Sequence, residues 1–550
     1  MGTASVARLF VRCLESEGVD WVFGVPGEEN LALLEALADS PIRFVTTRHE
    51  QGAAFMADVY GRLSGRAGVC LATLGPGATN LLTGVADANM DHAPVVAIAG
   101  QAATTRLHKE SHQVLDLVRI FQPVTKYAAR ILAPEVVPEV LRKAFKLAQT
   151  HKPGACFVEL PEDLAEAPVD AQVEARPLAP VQPTLPEPPE AQVEAAAELL
   201  SAARHPLVLA GNGVVRTGAC QALAEFAGRL HVPVANTFMA KGAIPFKHPM
   251  ALGSVGLQAQ DYVNAGFDRA DVILCVGYDL VEYHPHLWHP TADRTLIHVD
   301  VVPAEVDTHY EVSVGVVGDI RHSLARIAER ARPRQEPVPR PLRQALIADM
   351  DRHKDDLSFP LRPQKIIWDL RTVLPLEDIV VCDVGAHKLW MARMFRCELP
   401  NTCLISNGFA SMGIALPGAV AACLARPERR VVAVTGDGGF LMNVQELETA
   451  VRLGLRLVVL VWNDGGYGLI AWKQRRRYGR EAFTRFGNPD LVGLAQSFGA
   501  LGLRVRQAAE LAPLLRRALE HPGVSVIDCP VDYGENQQLA ARLGETVFQP

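Results

Sequence analysis

The stretch 431–469 leaves this chain few ways to fold. An apolar, β-branched run (Val431, Val432, Val434) ends at Gly436 and reads as a buried strand. Gly436-Asp437-Gly438-Gly439 follows, then an amphipathic segment over 443–453, with Val444, Leu447, Ala450 and Val451 at helical spacing. A second strand, 455–462, ends in Asn463-Asp464-Gly465-Gly466. The unit is strand, glycine-rich turn, helix, strand, acidic turn. A right-handed crossover of that kind puts both turns at the carboxyl edge of a parallel sheet. Asp437 and Asp464 then face one crevice.

That pairing has a chemical use. Glycines let a diphosphate approach the backbone, whose N–H groups favour the anion. A hard divalent cation would bridge it to the two carboxylates, with a backbone carbonyl and water completing an octahedron. Gly-Asp-Gly alone is also an ordinary turn. The second acidic turn, one β-α-β unit downstream, is what makes the pair informative.

A chain of 550 residues exceeds one core. Two Pro-rich stretches without periodicity, 165–190 and 331–343, read as extended surface linkers. The blocks they separate each alternate apolar strands with helical segments, the doubly wound α/β pattern. In the first block the strands are expected at 21–24, 42–46, 69–74, 95–99 and 156–160, with helices at 4–17, 31–37, 51–63 and 78–89. Strands at 206–210, 232–236, 272–276 and 296–299 mark the middle block. Those at 379–383, 403–405, 431–435, 457–461 and 525–528 mark the last. The expected division is three consecutive doubly wound parallel-sheet domains, 1–165, 191–330 and 355–550, with linkers 166–190 and 331–354.

Charge excludes some roles. A net charge of −7 offers no chain-wide case for nucleic acid, and the short basic run Lys473 to Arg477 reads as a solvated face. No segment reaches the roughly 18 apolar residues of a membrane span, and the N-terminus lacks a signal-peptide core. The 10 cysteines are scattered, without a CxxC, many in apolar strands. They read as reduced core residues of a cytoplasmic protein.

The segments GDGGFLMNVQELETA and LVVLVWNDGGYG resemble the metal-diphosphate motif of thiamine-diphosphate (ThDP) enzymes, in which GDG precedes an Asn-Asn or Asn-Asp pair. Asp464 follows Asp437 by 27 positions, the spacing of the family's second ligand. The likeness runs essentially end to end and assigns the three blocks as pyrimidine-binding, central and diphosphate-binding domains. It implies Mg²⁺ held by Asp437, Asp464 and the Gly466 carbonyl, with Gly436, Gly438, Gly439, Gly468 and Leu469 around the cofactor.

Other motifs extend it. RHEQGAAFMADVYGR resembles the segment that carries the family's activating glutamate, here Glu50, which hydrogen-bonds the aminopyrimidine ring. A Glu at a helix start is otherwise an ordinary cap. Gly385 and His387 match a Gly-x-His that contacts the diphosphate, with His387 as a neutral donor. Asn407 to Gly413 matches the turn that bends the cofactor. There Ala410 would offer its carbonyl to the amino group and Met412 would prop the bend. His112 and Gln113 match a substrate loop of acetolactate synthases, and Gln113 would donate to the donor substrate. Trp472 would line the pocket.

Two details select a branch. The stretch Gly277 to Pro285 resembles the GxDxVEYxP of catabolic, flavin-independent acetolactate synthases, so FAD is not expected. The turn Gly211-Asn212-Gly213 then reads as close strand–helix packing rather than a dinucleotide site. Glu28 departs from the pattern: catabolic synthases carry a basic residue in that loop. An acid there keeps a second enzyme reading, a 2-oxo-acid decarboxylase or aldehyde lyase, beside decarboxylative joining of two pyruvates into 2-acetolactate. A non-catalytic scaffold of the same fold would need none of Glu50, Asp437 and Asp464. Because Glu50 and Asp437 lie in different domains, the resemblance also implies a homodimer or homotetramer with active sites between subunits.

Overall fold

The computed structural model describes residues 5–169, 176–181, 184–255, 262–334 and 340–536. They build three six-stranded, wholly parallel sheets, each flanked by helices. The α/β class with three doubly wound sheets is as expected. Numbering the strands of each sheet in chain order, the first and third sheets both run 2-1-3-4-6-5, while the central one runs 3-2-1-4-5-6.

Four strands escape the sequence pattern: Tyr127–Arg130, Ala251–Ser254, Val314–Val317 and Leu501–Arg504. Each is the outer strand of its sheet. An outer strand covers only one side of a neighbour, so it needs no unbroken apolar run. Tyr127–Arg130 has no fully buried residue and Leu501–Arg504 only one, whereas every residue of the inner strand Val95–Gln101 is buried.

Two further differences are local. The helix expected over 443–453 is shorter, Glu446–Arg452, and a separate one, Asp437–Met442, precedes it where a turn was expected. The latter begins on the acidic residue itself. The stretch 331–354 is not extended throughout, because it contains the helix Arg340–Asp351. Leu342, Leu346 and Met350 are buried on that helix. Their four-residue spacing was in the sequence, behind the prolines that precede it.

The first and third domains share a core. The helix Glu50–Ser64 is buried almost all round. Its own sheet lies on one side, and the helices Pro76–Met90 and Ala415–Ala425 cover the others. A helix enclosed this way carries apolar and small residues on every face. The central and third domains are joined by a second core that includes Leu252, Trp288, Leu346, Met391 and Trp462.

The central sheet has the strand order of dinucleotide-binding folds, yet its switch point is closed by the chain itself. A Cβ on Gly213 would lie 2.6 Å from the Gly277 Cα, and one on Gly211 would lie 2.4 Å from the Gly277 carbonyl oxygen. This is the close strand–helix packing read from the sequence. Gly213→Ala must push backbone apart, so it is expected to cost the central domain about 1–3 kcal/mol. A lowered thermal transition, with the secondary structure retained, checks this.

Candidate active site

Strands 1 and 3 of the third sheet, Ile379–Cys382 and Val431–Gly436, are neighbours whose helices leave in opposite directions. At such a switch point a crevice opens beyond the strand ends. Asp383 to His387 line it from one strand, Gly436 to Gly439 from the next, and Asp464 from the end of Leu457–Asn463.

Asp437 is 1 % exposed. Its Oδ1 accepts from the Gly438 N–H at 3.0 Å, and its Oδ2 accepts from the Gly465 N–H at 2.9 Å and from Asn488 Nδ2 at 2.6 Å. These bonds aim the carboxylate at the second acidic turn. Burial pushes the Asp464 carboxyl up to about 7, and the Asp437 charge adds to the effect. Burial raises Asp437 as well, so two carboxylates that disfavour their own charge stand together, a donor set that a hard divalent cation would relieve. Arg485 stands behind, 3.8 Å from the Asp464 carboxylate, and donates to the Asp464 carbonyl at 2.8 Å.

Small residues keep this turn open. A Cβ on Gly439 would lie 3.0 Å from the Asp383 carboxylate, one on Gly438 2.9 Å from the Tyr467 ring, and one on Gly468 2.5 Å from Asp464 Oδ2. Gly385 and Gly436 make room for the His387 ring. His387 is 2 % exposed, and burial lowers its pKa to about 3. It hydrogen-bonds the backbone of Asp383, while its Nε2 has no partner. A neutral ring that donates to a carbonyl through one nitrogen holds a lone pair on the other, so donation from His387 Nε2 to an anion would require the ring to take up a proton.

The matching edge of the first sheet carries the other cluster. Strand Arg43–Thr46 leads into Glu50, the first residue of its helix. Asn80 Nδ2 donates to Glu50 Oε2 at 3.0 Å, and a Cβ on Gly77 would lie 3.3 Å from Glu50 Oε1. Gly75 and Gln113 both have positive φ, +55 and +58, and pack together. His112 and Gln113 are exposed on this rim, as is Glu28. It is the next residue, Glu29, that accepts from Thr73 Oγ1 at 2.7 Å.

Within one chain the two clusters do not merge. The hydrogen bonds to Asp437 come from the third domain, and the one to Glu50 comes from the first. Residues beside Glu50 do cross over. Glu446, fully buried, accepts from the Arg48 and His49 N–H groups, each at 3.1 Å, and Asn443 donates to Gln51 at 3.0 Å. Trp472 is 8 % exposed and packs into the core that joins the central and third domains, with Leu469 against that core. Ala410 and Met412 are half-buried. A cavity of about 1130 Å³ lies at the opposite edge of the first sheet, against Arg62, His92 and Arg216, and contains neither cluster.

Sequence reading gives no role to Asn443, Glu446 and Asn488; it takes Asn80 only as scaffold around the cofactor, in the turn Gly75 to Asn80, and Asp383 only as a strand end. Glu446 and Asn443 lie in the helical stretch it treated only for apolar spacing. Asn488 follows a long loop and is joined to Asp437 only by folding.

Comparison with known proteins bears on the whole chain. Residues 4–120 match the model described as thiamine pyrophosphate enzyme, N-terminal TPP binding domain. Residues 193–327 match the central domain of the same enzymes, and 383–529 the C-terminal TPP binding domain. An acetolactate synthase of Bacillus subtilis is 38% identical over 97% of this chain and 94% of its own length. A catabolic acetolactate synthase of Raoultella terrigena is 36% identical over 98% and 97%. A probable acetolactate synthase large subunit of Methanocaldococcus jannaschii is 35% identical over 96% and 92%. With three domains matched in order and relatives aligned nearly end to end, the chain belongs to the acetolactate synthase family of thiamine-diphosphate-dependent enzymes.

Proposed function

We propose that the protein, holding ThDP and Mg²⁺, joins two molecules of pyruvate into 2-acetolactate with loss of one CO₂. The observation that carries this reading is the pair of a buried Asp437 and a partly buried Asp464 at one switch point, in a chain aligned over nearly its full length with acetolactate synthases. When bound, the cofactor supplies an electron sink for the carbon that loses CO₂.

The side chains divide the remaining tasks. Asp437, Asp464 and the Gly466 carbonyl hold the metal. Gly436, Gly438 and Gly439 admit the diphosphate, and Gly385 leaves space for His387 to face it. Ala410 offers its carbonyl, and Met412, Gly468 and Leu469 shape the cavity. Glu50 exchanges a proton with the pyrimidine ring, steadied by the Asn80 amide at 3.0 Å. Gln113 and His112 orient the substrate carboxylate, with Glu28 and Trp472 as outer members of the pocket. Glu50 works across a subunit boundary, in a homodimer or homotetramer, a reading supported by its having, among the described residues, no hydrogen bond from the diphosphate cluster. Reduced, mostly buried cysteines suit a cytoplasmic setting. Among the described residues no helix is long and apolar enough to cross a membrane.

FAD has no part in this reaction. At the central switch point the Asn212 N–H, where a dinucleotide phosphate would sit, donates to both Glu282 oxygens at 3.0 Å. That carboxylate is 3 % exposed and also accepts from Thr237. Its position supports the flavin-free reading.

Incubation with pyruvate, Mg²⁺ and ThDP tests the proposal. 2-Acetolactate is expected, converting to acetoin in acid, at a rate unchanged by added FAD. Acetaldehyde as the main product would favour the 2-oxo-acid decarboxylase reading instead.

A further inference from the structure

The loop from Ser406 to Gly413 carries Ala410 and Met412, and the chain would not adopt its shape unaided. Ala410 sits at φ +58, in the left-handed region disfavoured for a residue with a Cβ, and Gly413 at φ +90. Such a turn persists where its surroundings over-determine it. Much of what holds it comes from other domains. Asp91, which ends the first domain's helix Pro76–Met90, accepts from the Gly408 N–H at 2.6 Å and the Asn407 N–H at 3.1 Å. Asp87, one turn earlier, accepts from the Ser411 N–H at 3.1 Å and the Ser406 hydroxyl at 2.9 Å. Asn407 Nδ2 donates to the Glu282 carbonyl of the central domain at 2.7 Å. Within the third domain, Asp383 accepts from the Gly413 N–H at 2.8 Å and Lys388 donates to the Ser406 carbonyl at 3.0 Å.

The two aspartates are 0 % and 1 % exposed. Arg62 neutralises them, 2.6 Å from Asp91 and 3.7 Å from Asp87, while also binding Asp58 at 2.6 Å and the Ile405 carbonyl at 3.2 Å. Arg62 and the buried Lys388 face three buried carboxylates, so cationic charge falls short of anionic, and burial drives Asp87 and Asp58 upward. The loop N–H groups supply the missing stabilisation. Carboxylates and loop therefore fix each other.

We propose that Asp91, seconded by Asp87, is a positioning residue: from the first domain it sets the backbone on which the Ala410 carbonyl and Met412 meet the cofactor. This rests on the reading of Ala410 and Met412 as cofactor contacts.

Asp91→Asn keeps the size and removes the charge that two loop amides share. Asp58→Asn alters the same buried cluster, but the Asp58 hydrogen bonds run to Arg62 and Asp87 and none to the loop amides. In cofactor-free protein, Asp91→Asn is expected to speed amide hydrogen exchange at Asn407 and Gly408 about tenfold. In the loaded enzyme kcat should fall about tenfold or more, with the KM for pyruvate and the Mg–ThDP affinity within about threefold. Asp58→Asn should lower the thermal transition and leave loop exchange and kcat within about twofold. Equal loop exchange and equal kcat loss in the two variants would show a merely structural cluster and overturn the proposal. If Asp91→Asn does not fold, Asp87→Asn reads the same clamp through the Ser411 amide. Met412→Ala separates the premise from the proposal. If it changes neither kcat nor the near-ultraviolet circular dichroism of bound cofactor, the loop is no cofactor contact and the proposal loses its basis, whatever the exchange data show.

Discussion

Glu50→Gln should cut turnover by roughly 10²–10⁴-fold, the usual scale for a lost general acid–base group, and leave Mg–ThDP affinity within a few-fold. The amide is isosteric with the acid. It can still take the Asn80 bond at 3.0 Å, and Glu50 starts a helix whose packing does not depend on its charge. What disappears is a proton that can be shared with the pyrimidine ring. Single-turnover and steady-state rates with pyruvate, beside isothermal titration of the cofactor, separate the two effects. Normal turnover in this variant would show that Glu50 does not activate the cofactor. Loss of cofactor binding along with turnover would make it a structural anchor instead.

The second large effect is the reverse. On the proposed reading of Asp437 as a metal ligand, Asp437→Ala should weaken Mg–ThDP binding by at least about 100-fold. The damage extends to the partners of Asp437. Gly438, Gly465 and Asn488 each donate to its carboxylate, so both turns lose the link between them. Turnover at saturating cofactor should recover further than in Glu50→Gln, since the anchor is not the reacting group. Calorimetry finding unchanged affinity would place the diphosphate elsewhere. The pair of variants thus resolves anchor from activator: one loses affinity before rate, the other rate before affinity.

Much of this site was legible before folding because its chemistry is local. Asp437 and Asp464 each sit at a strand end next to glycines, and a β-α-β unit has only one hand. Glu50 is marked by a strand that stops and a helix that starts. Inner strands such as Val95–Gln101 announce themselves by continuous apolar character, since both faces are covered. The outer strand Tyr127–Arg130 does not, and neither does the helix Arg340–Asp351 behind its prolines. In both, few residues are buried against few partners, so the pattern is diluted.

Residue types and spacing along the chain therefore determined the three α/β units, the acidic pair at one sheet edge and, at another, Glu50 at a helix start. Those follow from backbone periodicity and from turns a few residues long. Only the tertiary structure decided which side chains hold them in place. Asn488 reaches Asp437 at 2.6 Å, Glu446 takes the N–H groups just ahead of Glu50, and Asp91 takes those of the loop carrying Ala410. Each of these bonds satisfies a polar group that folding removes from water, and its partner is whichever donor or acceptor the packing brings near. Separations of 51, 398 and 317 residues leave no periodic trace for a sequence to show.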